Sequence, residues 1–517
     1  MEVPTEFDYI IVGGGLTGCA LASRLAERLG PSSSILILEA GVDPTSNPNS
    51  TSLGGGFALP GSELDWAYKT TPIPALGDRV ITLVAGKTLG GGSVLNYGGW
   101  ARGDKKDYDA WARILGDDRW SYEGLLPYFQ RSESVHDAAA NPDHYGSDGP
   151  MKVTSISASD PKRRYPLREP IRKAWAELGV EQNSNKPLAN LKAYPNFWKI
   201  STTVFASRLT WPSTYLTPDQ KPRATAVVLG DGRQIKARKE IIISAGAVGS
   251  PQLLQLSGVG PAAVLTRHSI PVVFDLPAVG QNLFEHFAFF QIFKLRNPER
   301  GLSIGHPDLS DPAFFKGMPV DWVVNEALPA ETLKEALADD GDLSDVGRLS
   351  EIGRSHVETM ILYNPLAPGV PVDGSFIGTS IMLTLPTSRG SLELASASPN
   401  IPPSMELVGY CNALLALKLV KSFVETEVGP GPGLEPLTVE SSNKDIEDRI
   451  RIVGNPHFHI AGTCAIGKVL DTDLRVKGVQ GLRVVDASIF PAPLGGHPQA
   501  SLYAIADLAS EIIAEGK

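Results

Sequence analysis

Apolar and polar positions near the start of the chain fall into blocks that predict a strand, a helix and a second strand. Residues 8–12 form a short run with β-branched side chains, which is typical of a buried parallel strand. Residues 19–26 predict a helix with small side chains on the side facing this strand, and residues 34–38 form a second apolar run. The order predicts a βαβ unit.

Glycines occupy the turn between the first strand and the helix. Gly13 allows a tight turn, Gly15 lets a pyrophosphate approach backbone N–H groups, and Gly18 permits close packing of the helix on the strand. Glu39 ends the second strand, where a carboxylate can accept hydrogen bonds from ribose hydroxyls. The pattern predicts a dinucleotide site and disfavours NADP, while the choice between FAD and NAD stays open.

A second glycine-rich stretch lies at residues 82–97. Three adjacent glycines, Gly90 to Gly92, precede Ser93 and Asn96, and such a sequence suits a loop whose backbone presses against a flat or charged ligand. A flexible surface loop is the alternative. The flanking aliphatic residues and the aromatic residues that follow favour a buried loop.

Histidines mark the last part of the chain. His457 and His459 precede a Gly-Thr-Cys triplet, and His497 follows two glycines. Between them, residues 481–486 predict a buried strand that ends in Asp486, and residues 502–513 predict a terminal helix.

Composition narrows the class of protein. The 517 residues are 42% hydrophobic and 20% charged, which is typical of a globular chain. The net charge of −10, without a run of basic residues, disfavours a nucleic-acid partner. Three scattered cysteines predict neither a disulfide framework nor a zinc site, and no metal is expected. We expect no membrane span, and because no signal peptide is visible we expect a cytoplasmic protein, or a secreted one if a leader was removed.

These motifs together resemble the glucose–methanol–choline (GMC) family of FAD oxidoreductases, over nearly the whole chain. The matching blocks, in family order, are the N-terminal fingerprint, residues 65–68, residues 90–96 with Arg102-Gly103, residues 244–252, residues 279–283 with His286, residues 388–391, and the segments around His459 and His497. A departure lies after Pro222, where residues 224–240 predict a single hairpin and the segment that meets the adenine in most members looks short.

The resemblance implies an α/β fold with two parts. A Rossmann-like FAD-binding domain is expected to be discontinuous, over residues 1–110, 222–290 and 450–517. A substrate-binding domain with an antiparallel sheet and helices is expected over residues 111–221 and 291–449. The oligomeric state is not predicted.

The resemblance also implies a catalytic pair. His459 matches the family histidine beside the flavin, and His497 matches the second family position. Alcohol oxidation must remove a hydroxyl proton, and an imidazole can accept it near neutral pH. We expect His459 to act as the base and His497 to hold the alkoxide oxygen, with shared or exchanged roles left open. The other histidines, His457 included, are expected to be structural.

The expected FAD contacts come from five parts of the chain. They are Gly13, Gly15, Leu16, Thr17, Gly18, Glu39, Ala40, Leu89, Gly91, Gly92, Asn96, Asp486, Ala487, Pro498 and Gln499. Leu95 stands where some members carry a histidine that is covalently linked to the flavin, so we expect non-covalent FAD.

The sequence therefore predicts an FAD-dependent oxidase or dehydrogenase that converts an alcohol to a carbonyl and passes electrons to O₂ or another acceptor. The aromatic residues Phe290, Phe293, Phe314, Phe315 and Trp322 suggest an aromatic or other bulky apolar alcohol, although they are equally compatible with core positions. Two alternatives stay open: a lyase or cyclase that keeps FAD without net redox chemistry, and a non-catalytic flavin-binding protein.

Overall fold

The structure of the chain is a computed structural model. It describes residues 5–51, 54–137, 141–155, 159–180, 189–191, 206–210, 221–331, 333–334, 346–351, 354–367, 369–406, 424–428, 436–438 and 441–516. Among them the α-helices are α1 Leu16–Leu29, α2 Gly92–Leu95, α3 Lys105–Leu115, α4 Tyr122–Ser132, α5 Arg168–Glu177, α6 Gly246–Leu256, α7 Ala262–Arg267, α8 Val346–Leu349, α9 Asn443–Val453 and α10 Pro498–Ala514.

The strands lie along the whole chain. In the first half they are β1 Glu6–Val12, β2 Ile35–Leu38, β3 Tyr68–Lys69, β4 Thr82–Leu83, β5 Gly99–Trp100, β6 Glu133–Val135, β7 Met151–Ser155, β8 Ala189–Leu191, β9 Ala206–Thr210, β10 Ala226–Leu229 and β11 Gln234–Ile243. In the second half they are β12 Val259–Gly260, β13 Phe274–Asp275, β14 Phe287–Leu295, β15 Val323–Glu326, β16 Val357–Leu362, β17 Phe376–Leu383, β18 Ser391–Glu393, β19 Ser404–Glu406, β20 Val424–Val428, β21 Asn455–Pro456 and β22 Leu482–Val484.

The predicted βαβ unit is present and forms part of one sheet, here called the N-terminal sheet. Its order is β2-β1-β11-β10-β9, and β22 pairs with β11. Strands β2, β1, β11 and β22 run parallel, so their carboxyl ends meet at one edge. The hairpin predicted at residues 224–240 is present as β10 and β11.

A second sheet, here called the antiparallel sheet, has the order β15-β16-β17-β14-β20, with β21 paired to the start of β14. All of its pairings are antiparallel. Strand β16 is buried at every position, which indicates that both faces of the sheet are covered there. Its register brings residues from distant parts of the chain into single rows.

Helix α10 ties the C-terminus to the N-terminal sheet. It packs against α1, and most of its residues are buried. Its Asp507 is buried and forms ion pairs with Arg28 at 2.6 Å and Arg131 at 2.9 Å. Because His497 is the residue that precedes α10, this packing also fixes its backbone.

The predicted domain boundaries stay a prediction. Segments from 1–110, 222–290 and 450–517 do contribute strands to the N-terminal sheet. Strand β9, however, belongs to the range 111–221 and pairs with β10 in that same sheet. Within the described residues, no helix is long and apolar enough to cross a membrane.

Candidate active site

A cavity of about 780 Å³ lies between the two sheets. Its walls are the turn after β1, the loop before α2, the start of α6 and the segments around the C-terminal histidines. One side is formed by β14 to β17 of the antiparallel sheet. The cavity therefore joins the predicted nucleotide site to the predicted catalytic residues.

The nucleotide end of the cavity is built from backbone that admits no side chain. Gly13 has φ +108°, and a Cβ there would lie 2.3 Å from the carbonyl oxygen of Ser244. A Cβ on Gly18 would lie 2.0 Å from the carbonyl oxygen of Gly13. A Cβ on Gly15 would have no atom closer than 3.9 Å, so this position has open space in front of it. Gly15 lines the cavity together with Leu16 and Thr17. Gly18 therefore supports the turn without lining the cavity.

Glu39 stands at the end of β2 beside this turn. Its two carboxylate oxygens accept hydrogen bonds from the backbone N–H groups of Gly14 and Gly41, both at 2.8 Å. Burial raises the pKa of Glu39, and these backbone hydrogen bonds oppose the rise. Each oxygen keeps a second lone pair, so the carboxylate remains able to accept from ribose hydroxyls. Ala40 lines the cavity next to it.

The loop of residues 90–96, here called the glycine loop, lies against the same turn. The N–H of Gly90 donates to the carbonyl of Gly14 at 2.7 Å, and Gly91 has φ +53°. A Cβ on Gly91 would lie 2.8 Å from the Cα of Gly15. Gly91, Gly92 and Asn96 line the cavity, whereas Leu89 does not; its side chain lies beside Gly14.

Asp486 closes the other side of the cavity at the end of β22. Its carboxylate accepts from the N–H of Gly246 at 2.9 Å, the hydroxyl of Ser250 at 2.5 Å and the N–H of Ser488 at 2.8 Å. Burial raises its pKa, and these hydrogen bonds oppose the rise. The predicted contacts Ala487, Pro498 and Gln499 also line the cavity, and the Oε1 of Gln499 accepts from Asn96 at 2.7 Å.

These features fit FAD. The close-packed glycine turn leaves room for a pyrophosphate at Gly15, the Glu39 carboxylate faces the ribose position, and the cavity continues from there to the histidines. Residues 244–249, together with Val12, Leu38 and Gly86, also line this part. Residues 244–252 were recognised in the sequence as a family block, but only the fold shows that this segment lines the cavity.

Three imidazoles converge at the far end of the cavity. The ring centroids of His459 and His497 are 4.9 Å apart, and His457 lies 5.0 Å from the first and 5.7 Å from the second. His457, expected to be structural, therefore lines the cavity as well. One nitrogen from each ring lies within 4.8 Å of the others, and the expectation of no metal here stays a prediction.

Buried neighbours hold both predicted catalytic histidines. Nδ1 of His459 lies 2.9 Å from Nδ1 of His286, and the N–H of His459 donates to Glu285 at 2.6 Å. Nε2 of His497 lies 2.9 Å from the carboxylate of Glu358 on β16. Glu285 and Glu358 were not singled out from the sequence, and His286 was named in a family block but expected to be structural.

The two histidines differ in their preferred protonation state. Burial, and after it the charge on His497, holds the pKa of His459 well below 6.5. Burial alone would also lower the pKa of His497, but the charge and hydrogen bond of Glu358 outweigh it and raise that pKa. Correspondingly, His497 keeps the pKa of Glu358 below its ordinary value against the effect of burial. The site therefore favours the neutral form of His459 and, beside Glu358, the charged form of His497.

Apolar side chains surround the remaining space. They are Phe57, Tyr97, Phe290, Met318, Val320, Val323, Met360, Leu362 and Leu366. Val323, Met360, Ser380 and Phe290 form one row across β15, β16, β17 and β14. Of the five aromatic residues suggested by the sequence, Phe290 lines the cavity; Phe293 and Phe314 pack in the core, Phe315 is exposed and Trp322 packs at the edge of the core.

A stability prediction follows from Glu285, which is fully buried. Burial raises its pKa from 4.5 to about 8, although several backbone N–H groups donate to it. Because the folded protein favours the neutral acid, its contribution to stability is present below pH 4.5 and is lost as the pH rises through about 8. In Glu285→Gln, we expect the melting temperature to fall less between pH 5 and pH 9, measured by thermal unfolding. The exposed Glu331→Gln should keep the wild-type pH dependence, and an unchanged dependence in Glu285→Gln would contradict the prediction.

The chain belongs to the GMC oxidoreductase family: the family model of the N-terminal part matches residues 7–195 and 192–288, and that of the C-terminal part matches residues 386–506. It has the GMC oxidoreductase fold and is an FAD-dependent oxidoreductase, which confirms the resemblance found in the sequence.

Individual relatives cover almost the whole chain. It is 38% identical to the GMC-type oxidoreductase acuG of Aspergillus aculeatus, over 98% of this chain and 99% of that protein. It is 31% identical to a patulin synthase of Aspergillus clavatus, over 97% of this chain and 90% of that protein. Among solved structures, a variant of Aspergillus oryzae formate oxidase matches with a TM-score of 0.82 and 26% identity, over 100% of this chain and 99% of that one. The lyase or cyclase alternative finds no support among these relatives.

Proposed function

We propose that this enzyme oxidises an aromatic or other bulky apolar alcohol to the carbonyl compound, and that O₂ or another acceptor reoxidises the flavin. The supporting observation is the pairing of His459 and His497 at one end of an apolar cavity. Their opposite pKa shifts match the two tasks of alcohol oxidation, since one group must accept a proton and the other must stabilise the oxygen that loses it.

In the proposed reaction, the side chains bind and deprotonate the alcohol. The neutral imidazole of His459 accepts the hydroxyl proton. The imidazolium of His497, held by Glu358 at 2.9 Å, donates a hydrogen bond to the oxygen as negative charge develops. The apolar walls exclude water, which strengthens both interactions. FAD, when bound, supplies the acceptor for the carbinol hydride.

The residues that would hold FAD are the predicted ones, except that Gly18 and Leu89 act by packing. The pyrophosphate would meet the turn from Gly13 to Thr17 and the N-terminus of α1. Glu39 would bind the adenosine ribose. Asp486, Gln499 and the glycine loop would surround the rest of the cofactor.

The cofactor is proposed to be non-covalent, because Leu95, which lines the cavity, carries no nucleophilic atom. Acid precipitation of the purified protein should leave the yellow flavin in the supernatant. A pellet that keeps its colour after washing would contradict this prediction.

The bulky apolar substrate is inferred from the cavity wall. Nine apolar side chains surround the space in front of the histidines: Phe57, Tyr97, Phe290, Met318, Val320, Val323, Met360, Leu362 and Leu366. A small polyol would leave these surfaces in contact with water, whereas an aromatic ring would cover them, which is worth roughly 25 cal/mol for each Å² buried. A solved fungal aryl-alcohol oxidase shares the fold, with a TM-score of 0.78.

The direct test is anaerobic stopped-flow reduction of the bound flavin by a panel of alcohols. Benzyl and cinnamyl alcohols should bleach the flavin faster, at equal concentration, than choline or glycerol. Mixing the reduced enzyme with O₂ or with a quinone then identifies the acceptor. Carbonyl formation with flavin that stays oxidised would contradict the redox reaction, and a preference for small polyols would contradict the substrate class.

A further inference from the structure

Two consecutive residues hold the side of His459 that faces away from the substrate space. They lie just before β14. Glu285 accepts the backbone N–H of His459 at 2.6 Å, and Nδ1 of His286 lies 2.9 Å from Nδ1 of His459. The rings of His286 and His459 are perpendicular, at 89°. Glu285 and His286 are both only 3% exposed. The carbonyl of His286 also accepts the N–H of His457 at 2.8 Å, which completes the attachment of this segment.

The contact between the two Nδ1 atoms constrains where the protons lie. Two imidazole nitrogens at this distance form a hydrogen bond only if one carries a proton and the other offers a lone pair. Nδ1 of His459 faces Nδ1 of His286, so Nε2 is the nitrogen that His459 can offer to the alcohol. Burial lowers the pKa of His286 to about 3, so its ring is neutral and has a single N–H. A base that acts through Nε2 needs a free lone pair on that nitrogen, which puts the proton of His459 on Nδ1 and makes Nδ1 of His286 the acceptor.

We propose that His286 is a positioning residue that fixes the tautomer of His459. Because His286 accepts at its Nδ1, His459 carries its proton on Nδ1 and keeps the lone pair of Nε2 free for the alcohol. During proton transfer, the bond between the alcohol oxygen and its hydrogen breaks, a bond from that hydrogen to Nε2 forms, and the electron pair stays on the oxygen. His286 plays the part that a buried carboxylate plays in hydrolase triads, but as a neutral partner. The proposal rests on the proposed role of His459 as the base.

A neutral partner suits the charges at this site. His457, His459 and His286 lie together and burial lowers the pKa of each, whereas Glu358 raises the pKa of His497 and favours its charged form. A carboxylate at position 286 would favour protonation of His459 before the alcohol arrives. The neutral imidazole of His286 orients the ring of His459 and leaves the ring of His459 neutral.

The first experiment compares two substitutions of His286 in the FAD-bound enzyme. His286→Leu removes the acceptor at similar volume, and His286→Asn places an amide oxygen that can accept from Nδ1 of His459. With saturating benzyl alcohol, the anaerobic rate of flavin reduction should fall at least about tenfold in His286→Leu, since the wrong tautomer costs about 10⁴ in a hydrolase triad. His286→Asn should recover most of the rate. The alcohol concentration for half-maximal reduction should stay within about threefold, because the binding walls are intact.

A matched control comes from His268, whose ring likewise has a hydrogen-bond partner in the protein, the carbonyl of Leu394 at 2.7 Å. His268 does not line the cavity, so His268→Leu should reduce at the wild-type rate. Equal rates in His286→Leu and the wild type, or no recovery in His286→Asn, would overturn the proposal.

The second experiment is read in the wild-type enzyme, and a variant serves only to assign the signal. Ring-¹⁵N-labelled histidine in the wild-type holoenzyme allows the protonated nitrogen of His459 to be identified by NMR, with His459→Gln used for assignment. A proton on Nδ1 supports the proposal, and a proton on Nε2 overturns it. If no alcohol reduces the flavin, the proposed function fails while this measurement still decides the tautomer.

Discussion

Substitution of His459 by alanine should slow anaerobic flavin reduction by about 10²- to 10⁴-fold, which is the usual contribution of a positioned general base. His459 faces the cavity, its backbone is fixed by Glu285, and its pKa is held well below 6.5 by burial and by the charge on His497. In the wild type the base is therefore deprotonated at all pH values above that lowered pKa. We expect the reduction rate to stay level as the pH is lowered to 6.5 and below.

The measurement is single-turnover reduction with benzyl alcohol, over a pH series, in wild type and His459→Ala. Bound flavin per protein should be unchanged, because the nucleotide end of the cavity is remote from this ring. His268→Ala is the matched control and should keep the wild-type rate. If flavin reduction in His459→Ala were as fast as in the wild type, His459 would not be the base.

The second large effect is expected for Glu358→Gln. The carboxylate is buried, 1% exposed, and its charge and hydrogen bond raise the pKa of His497. The neutral amide keeps a hydrogen-bond acceptor but removes the charge, so His497 loses its proton at lower pH. We expect the reduction rate at neutral pH to fall about tenfold to a hundredfold, less than the about 10²- to 10³-fold lost when an oxyanion donor is removed outright.

The pH profile distinguishes this role from a structural one. Nε2 of His497 faces the Glu358 carboxylate, so the other ring nitrogen has a proton to donate only in the imidazolium form, and the wild-type rate should decline above the raised pKa of His497. In Glu358→Gln that decline should move to lower pH, while the acid side of the profile stays unchanged. Glu326→Gln, on neighbouring β15 and outside the cavity wall, should leave the profile as it is. A profile in Glu358→Gln that merely scales down at every pH would contradict the ion-pair role.

The parts predicted from the sequence are those encoded by short, local motifs. The strand, glycine turn, helix and Glu39 lie within about forty residues and appear in the structure as predicted. The histidine segments were found in the same way, because each stands beside glycines or prolines at fixed spacing. Leu89 shows the limit of this reasoning: the loop backbone does meet the glycine turn, but this side chain packs outside the cavity.

The residues that were missed come together only through strand register. Glu358 lies on β16, which is buried at all six positions, so no alternation of apolar and polar residues marks the face that lines the cavity. His286 stands within a recognised block, but its partner His459 is 173 positions away. The row from Val323 through Met360 and Ser380 to Phe290 joins four separate strands in the same way.

That row has an evolutionary consequence. Four of the nine apolar side chains that surround the space in front of the histidines, Phe290, Val323, Met360 and Leu362, lie on the antiparallel sheet, whereas the proposed FAD contacts and the proposed catalytic imidazoles belong to the glycine-rich turns and the C-terminal segments. Single substitutions at Phe290, Val323 or Met360 are therefore expected to change which alcohol the enzyme accepts. The proposed FAD contacts and the proposed catalytic histidines would stay the same. Such a division allows the products of duplicated genes to acquire different substrate preferences while they keep the same redox reaction.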